Sequence, residues 1–368
     1  MGPGYGDMIN NGGLHPLNQS LSGSTSEPLF SGLSPPWMCM PLEVYKGKMY
    51  FLAKNSTGSK YLQGKLEGGN LEDVEVIFSE LKEFVLDLMV NGSGNLVMQK
   101  LFQVCNENQM KQLLVGILNS GGIQFICCNI HGSCCMQKLI ELLTPPLKYV
   151  VVRSLRPLTC TLLKDSHGRC VIEYCLKKLP PEDIKPLLIE VADNLYEIAA
   201  DIYGCCFVLR CVRIAQGDIM YQLLDQISAN ALFLSKHPYG NYVVQNMIAE
   251  NPYACENLLE QLQGQFVNLS MNTYGSHIVE RCLEKLKKDQ VMTVILEFTT
   301  SGDFLALLLD PFGYGVAETA LKVSKDMGQI HEILIDLILG HCHFLHNHPY
   351  GKRVLKRAQE CKRRLIDP

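Results

Sequence analysis

From about Val44 onward apolar residues recur at three-to-four spacing, as in Leu81, Phe84, Val85, Leu88 and Met89, and again in Leu187, Leu188, Val191 and Leu195. That period predicts helices, and strand-like alternation is nearly absent. Pro145-Pro146, Pro180-Pro181 and Asn251-Pro252 break the periodic stretches. Proline has no amide donor, so these breaks predict connections between units of two or three short helices.

A glycine-centred pattern recurs nine times. One copy reads His237-Pro238-Tyr239-Gly240-Asn241-Tyr242-Val243-Val244-Gln245, and the residue after each glycine, position i, is Ser59, Asn95, Ser133, Arg169, Cys205, Asn241, Ser276, Tyr314 and Lys352. Successive steps of 36, 38, 36, 36, 36, 35, 38 and 38 residues predict a stack of small supersecondary units rather than two ordinary domains. Residues 1–41 carry six prolines, much Gly, Ser and Asn, and only Asp7 and Glu27 as charges. This segment is expected to be disordered, either an inert linker or a partner-binding tail built around Trp37, with the repeat domain at 42–368.

Within the pattern, position i−4 is Asn, Asp or His, and seven of the nine are good N-caps. Pro238, Pro311 and Pro349 then fall on the expected first helical position. Glycine inside every copy predicts a close approach that excludes a Cβ, with a neighbouring repeat as the expected partner. Positions i+2, i+3, i+6 and i+7, such as Val243, Val244, Met247 and Ile248, form the predicted core stripe. Positions i, i+1 and i+4 are expected to point together away from the core.

Composition narrows the function. Sixteen cysteines without a basic or long apolar start predict an intracellular protein with reduced thiols. No run of 18 apolar residues suggests a membrane span. The formal charge of −4 means that a nucleic-acid ligand requires a locally positive surface.

The residues at i and i+4 are mostly short polar groups suited to a flat hydrogen-bonding edge: Ser59 with Gln63, Asn95 with Gln99, Ser133 with Gln137, Asn241 with Gln245, Ser276 with Glu280. An amide donates and accepts and so meets the mixed edge of uracil, whereas the carboxylate of Glu280 only accepts and suits the N–H pair of guanine. At i+1, Tyr242 or His277 can stack on a base between repeats. A solvated polar face is the competing reading. Gln or Glu at i+4 in seven of the eight copies before the last counts against it.

These residues resemble the Pumilio (PUF) repeat over about residues 45–368. The resemblance implies an all-α, right-handed solenoid (crescent) of eight three-helix repeats plus terminal caps, with Tyr350-Gly351-Lys352 in the C-terminal cap. It also implies single-stranded RNA read at one base per repeat by two or three side chains, antiparallel along the concave face. By the family's pairing rules, repeats seven, six, three, two and one spell x-G-U-x-x-A-U-A from 5′ to 3′, similar to the element UGUAnAUA.

Three repeats depart from the pattern. Repeat five has Cys205 but Leu209 in place of an amide; repeat eight has Tyr314, Gly315 and Glu318; repeat four pairs Arg169 with Glu173. Those two charges either bridge each other and leave the base unread, or leave the carboxylate to accept from guanine. Specificity is therefore expected to relax at bases 1, 4 and 5. The stacking positions are Lys60, Leu96, Cys134, Cys170, Cys206, Tyr242 and His277. With stacking worth about 1–3 kcal/mol per base, the three cysteines predict a loosely held centre.

The histidine-rich segment from His341 to His348 lacks a paired CxxC partner, and neither metal nor cofactor is expected. Each adjacent cysteine pair, Cys127-Cys128, Cys134-Cys135 and Cys205-Cys206, is expected to place one sulfur in the core and the other at the surface. The basic run Lys352, Arg353, Lys356, Arg357, Lys362, Arg363 and Arg364 fits RNA phosphate, a solvated end helix or a nuclear-import patch. No catalytic motif stands out, so no enzymatic activity is expected. The resemblance implies a monomeric, cytoplasmic protein with a nuclear pool that binds mRNA 3′ untranslated regions and recruits deadenylation or translation-repression proteins. The alternative is a degenerate solenoid acting as a protein-interaction scaffold with weak RNA binding.

Overall fold

Three helices and two sharp corners make each repeat, and the chemistry of the corners is local. In the computed structural model, which describes residues 40–119 and 121–366, repeat six consists of Asp218–Ala229, Ala231–Ser235 and Gly240–Glu250. Repeat four consists of Pro145–Leu155, Thr159–Lys164 and Ser166–Lys178, and repeat five of Pro181–Asp193, Leu195–Ala199 and Gly204–Ile214. The proline signals start helices as well as end connections: Pro145, Pro181 and Pro252 each occupy a first helical position, where the missing N–H costs nothing. Among the described residues there is no strand. The chain divides at Val44–Tyr45 into two units, of which the first shows only the start of a 3₁₀ turn at Leu42 among its described residues. Expectations for the N-terminal tail, Trp37 included, lie outside the described residues.

The third helix of each repeat carries the pattern and can be called the motif helix. All nine i−4 residues cap it, including the two histidines that the sequence left outside the good caps. Asn55, Asn91, Asn129, Asp165, Asp201, Asn272 and Asp310 accept the glycine N–H through Oδ1. His237 and His348 accept it through Nδ1, at 3.3 and 3.4 Å, which requires the neutral ring with its proton on Nε2. In repeats one, three and four the helix begins directly after the cap. Elsewhere a turn intervenes and regular helix starts at the glycine, so Pro238, Pro311 and Pro349 sit in that turn rather than on the first helical position.

The glycine's partner is not the neighbouring repeat. A Cβ on Gly58 would lie 2.5 Å from the carbonyl oxygen of Leu52, and one on Gly275 2.7 Å from that of Leu269. The same six-residue relation joins Gly204 to Ile198 and Gly313 to Leu307. The glycine therefore lets the motif helix fold back onto the short helix of its own repeat, against backbone that has no room to yield.

The stripe at i+2, i+3, i+6 and i+7 is buried as expected, for example Val243, Val244, Met247 and Ile248, and Ile278, Val279, Cys282 and Leu283. Successive motif helices pack side by side from Ser56–Glu67 through Gly351–Ile366, producing an α-solenoid. One joint differs. The motif helices of repeats four and five make little direct backbone contact, while the first helices of these repeats pack closely.

Candidate nucleic-acid interface

Position i is buried in six of the nine copies. Ser59, Asn95 and Asn241 are only 1, 4 and 2% exposed, and Ser133, Cys205 and Ser276 are likewise buried. The motif helices stack closely enough to cover position i, which stays beside i+4 through the hydrogen bonds joining Asn241 to Gln245, Asn95 to Gln99 and Ser59 to Gln63. Position i+1 is exposed at Lys60, Leu96, Cys134, Cys170, Cys206 and His277, and half-buried at Tyr242. At i+4, Gln63, Gln99, Gln137, Glu173, Glu280 and Glu318 are half-buried, whereas Gln245 is buried, with 9% exposure.

Burial gives position i a particular role in the Asn/Gln repeats. Asn241 donates both amide hydrogens to backbone, to the carbonyls of His237 at 2.8 Å and Pro238 at 2.9 Å. Its Oδ1 accepts the amide of Gln245 at 2.9 Å. Repeat two repeats the geometry, with Asn95 donating to Asn91 and Gly92 and accepting from Gln99 at 3.0 Å. The backbone acceptors dictate which way the asparagine amide faces. That in turn fixes the glutamine, which keeps one N–H and its carbonyl for an outside partner. Asparagine thus orients and glutamine presents.

In repeat one, Gln63 donates to Ser59 Oγ at 2.9 Å, and Ser59 donates to the carbonyl of Ser93 in repeat two, also at 2.9 Å. Residue 93 is at i−2 of the next repeat. The same cross-repeat relation places Arg169 on Tyr203 and Tyr314 on Tyr350.

Repeat four departs from the expected internal bridge. The Arg169 guanidinium lies 3.6 Å from the Tyr203 ring centroid, and Glu173 pairs with Arg210 of repeat five at 2.8 Å. Each charge turns toward the next repeat because the wide joint admits a long side chain, and no Arg169–Glu173 pair forms. Repeat eight is similarly engaged: the Tyr314 ring stacks on Tyr350 with centroids 5.2 Å apart. Arg353 sits over Tyr314, donates to its hydroxyl at 3.0 Å and approaches Glu318 at 3.9 Å. Tyr203, Arg210 and Tyr350 lie against these side chains although the i, i+1, i+4 rule did not select them, whereas Arg353 is the i+1 residue of the ninth copy and part of the basic run. The aromatic residues at i−2 in repeats five to eight and in the ninth copy were the available signal.

In repeat seven, Ser276 donates to Thr273 at 3.4 Å, and His277 Nδ1 lies 3.6 Å from Glu280. In repeat five, Cys205 Sγ donates to the carbonyl of Ile202 at 3.4 Å, and Leu209 supplies only apolar surface. The cysteine pairs divide as expected, with Cys127, Cys135 and Cys205 buried, Cys134 and Cys206 exposed, and Cys128 intermediate. Of the C-terminal basic run, Lys362 is paired with Asp336 at 2.7 Å, Arg357 with Glu360 at 3.5 Å, and Arg353 with repeat eight; Lys352, Lys356, Arg363 and Arg364 are exposed. Among the described residues no cluster of His, Cys, Asp and Glu is placed to hold a metal ion, and no helix is long and apolar enough to cross a membrane.

The Pumilio-family RNA binding repeat matches residues 48–82, 84–118, 123–155, 159–192, 194–228, 230–255 and 265–299. The chain belongs to the Pumilio family. The matched segments end at residue 299, and the motif helices Gly313–Val323 and Gly351–Ile366 continue the same stacking beyond them. Pumilio homolog 12 of Arabidopsis thaliana is 33% identical over 98% of this chain and 60% of its own length. Putative pumilio homolog 8 of the same plant is 35% identical over 85% of this chain and 61% of its own length. The chain thus spans about three-fifths of these relatives. A solved structure of the Puf4 RNA binding domain bound to the HO endonuclease RNA 3′ UTR recognition sequence is similar, with a TM-score of 0.62 and 28% identity over 85% of this chain and 99% of that one.

Proposed function

We propose that this chain binds single-stranded RNA in mRNA 3′ untranslated regions, reading x-G-U-x-x-A-U-A from 5′ to 3′, and thereby represses translation or promotes decay of its targets in the cytoplasm, with a nuclear pool. The carrying observation is the pair Asn241–Gln245, in which a buried asparagine with every donor satisfied holds a glutamine ready to meet a base edge. Repeat two presents the same pair, and repeats one, three and seven present serine-based variants at the same register. Five of the nine stacked copies give a row of such edges, which suits an unstacked strand rather than a duplex.

Repeats four, five and eight read poorly for physical reasons. Glu173 and Glu318 are partly neutralised by Arg210 and Arg353, and Leu209 has neither donor nor acceptor. Selection from a randomised RNA pool on the purified full chain at physiological salt tests the reading. Enrichment of G-U, two unselective positions, then A-U-A is expected, and failure to enrich a G-U core sinks it. The double substitution Ser276→Asn with Glu280→Gln is expected to move the second base from G to U; an unchanged preference shows the register to be wrong.

The competing reading is a protein-interaction scaffold. It draws on the internal engagement of repeats four and eight, and an empty RNA selection combined with tight binding to a repression factor would favour it.

A further inference from the structure

We infer that a carboxylate at i+4 selects guanine only when the following repeat sets no cation against it, so that Arg210 and Arg353 mask a guanine preference at the fifth and first bases. This rests on the proposed function and carries base selection from single repeats to the joints between them.

Three of the i+4 residues are carboxylates: Glu173, Glu280 and Glu318, in repeats four, seven and eight. All three are half-buried at the same register, so their own positions do not distinguish them. The repeat that follows does. Glu173 Oε1 accepts from Arg210 at 2.8 Å, and Arg210 is the i+5 residue of repeat five. Glu318 Oε2 lies 3.9 Å from Arg353, the i+1 residue of the ninth copy. After Glu280 the corresponding residues of repeat eight are Gly315 at i+1 and Thr319 at i+5, and neither carries charge. A Cβ added at Gly315 would lie 3.4 Å from Glu280 Oε1, so i+1 of repeat eight faces this carboxylate as Arg353 faces Glu318. The ion-pair neighbour of Glu280 is instead His277 of its own repeat, at 3.6 Å.

A guanidinium competes with the base in two ways. Guanine presents adjacent N–H donors, and a carboxylate meets both only when its two oxygens are available. Arg210 holds one oxygen of Glu173, and its charge offsets the negative potential that draws the base. Arg169 does not disturb this arrangement, because it is held on the Tyr203 ring. Both ion pairs are partly exposed, where such pairs add little to stability, so removing the cation alters the base edge more than the fold. Arg210 and Arg353 are therefore positioning residues that act on RNA through a neighbouring carboxylate.

Selection from a randomised RNA pool on the full chain at physiological salt tests this with substitutions that leave every i and i+4 residue in place. Arg210→Gln is expected to turn the unselected fifth base into G, and Arg353→Gln to do so at the first base, each with a preference on the order of tenfold. Arg210→Lys keeps the charge and should leave the fifth base unselected. Conversely, Thr319→Arg sets a cation against Glu280 and is expected to weaken the G preference at the second base by a similar factor, whereas the neutral Thr319→Gln retains it. The inference requires G to emerge at one of the two unmasked positions and to weaken at the second base in Thr319→Arg. Absence of either result overturns it, as does equal loss of G in Thr319→Arg and Thr319→Gln, which would assign the effect to bulk. A wild-type chain that enriches no G-U core removes the proposed function and this dependence together. A wild-type G-U core with the first, second and fifth bases unmoved in the variants removes the dependence alone.

Discussion

The Arg169 guanidinium lies 3.6 Å from the centroid of the Tyr203 ring, across the joint between repeats four and five. Position i thus reaches i−2 of the next repeat even where it carries a long cation in place of a serine. Converting repeat four to the pair of repeat three, with Arg169→Ser and Glu173→Gln, is expected to select A at the fifth base, as Ser133 and Gln137 are proposed to do at the sixth. RNA selection on the double variant reads this directly, and a still-random fifth base would separate the serine–glutamine pair from base choice.

Asn241 holds Gln245 and also satisfies two carbonyls. Asn241→Ala leaves the Pro238 carbonyl without its partner, while the His237 carbonyl keeps the backbone N–H of residue 241, and should cost about 1–3 kcal/mol in urea unfolding. It should also relax selectivity at the third base, because an unanchored glutamine samples several orientations. Unchanged preference for U there would remove asparagine from its orienting role.

Two glycines on motif helices should respond oppositely to alanine. A Cβ added at Gly64 would meet nothing within 4 Å, whereas one added at Gly275 would meet the Leu269 carbonyl oxygen at 2.7 Å. Gly64→Ala is expected to stabilise by up to about 1 kcal/mol through helix propensity. Gly275→Ala is expected to destabilise by about 1–3 kcal/mol, because the short helix has to move. Denaturant midpoints of the two variants check both signs.

His331 is buried, with Nδ1 2.8 Å from Ser324 Oγ, and burial first, then Lys325, holds its ionisation below the ordinary histidine range. A depressed histidine binds its proton less readily folded than unfolded. The stability it protects is therefore present above the unfolded value and is lost as pH falls below it. Unfolding midpoints should decline between about pH 7 and pH 5, and His331→Gln should flatten that decline.

What the sequence determined by itself was most of what is set within one repeat, though not the glycine's partner or the turn that holds Pro238, Pro311 and Pro349. Helix period, N-caps, the obligatory glycine and the buried stripe at i+2, i+3, i+6 and i+7 depend on residues within about ten positions of one another, and local spacing carries them. Even the histidine caps follow that rule once Nδ1 is counted as an acceptor. Tertiary structure decided what happens between repeats: how deep Ser59 and Asn241 sink, that Arg169 meets Tyr203 rather than Glu173, that Glu173 meets Arg210, and that Tyr350 and Arg353 occupy repeat eight. Those pairings span 34 to 39 residues and depend on the rise and rotation from one repeat to the next. The apolar pattern of one repeat does not encode that relation, because the same stripe is buried in closely stacked and opened joints alike.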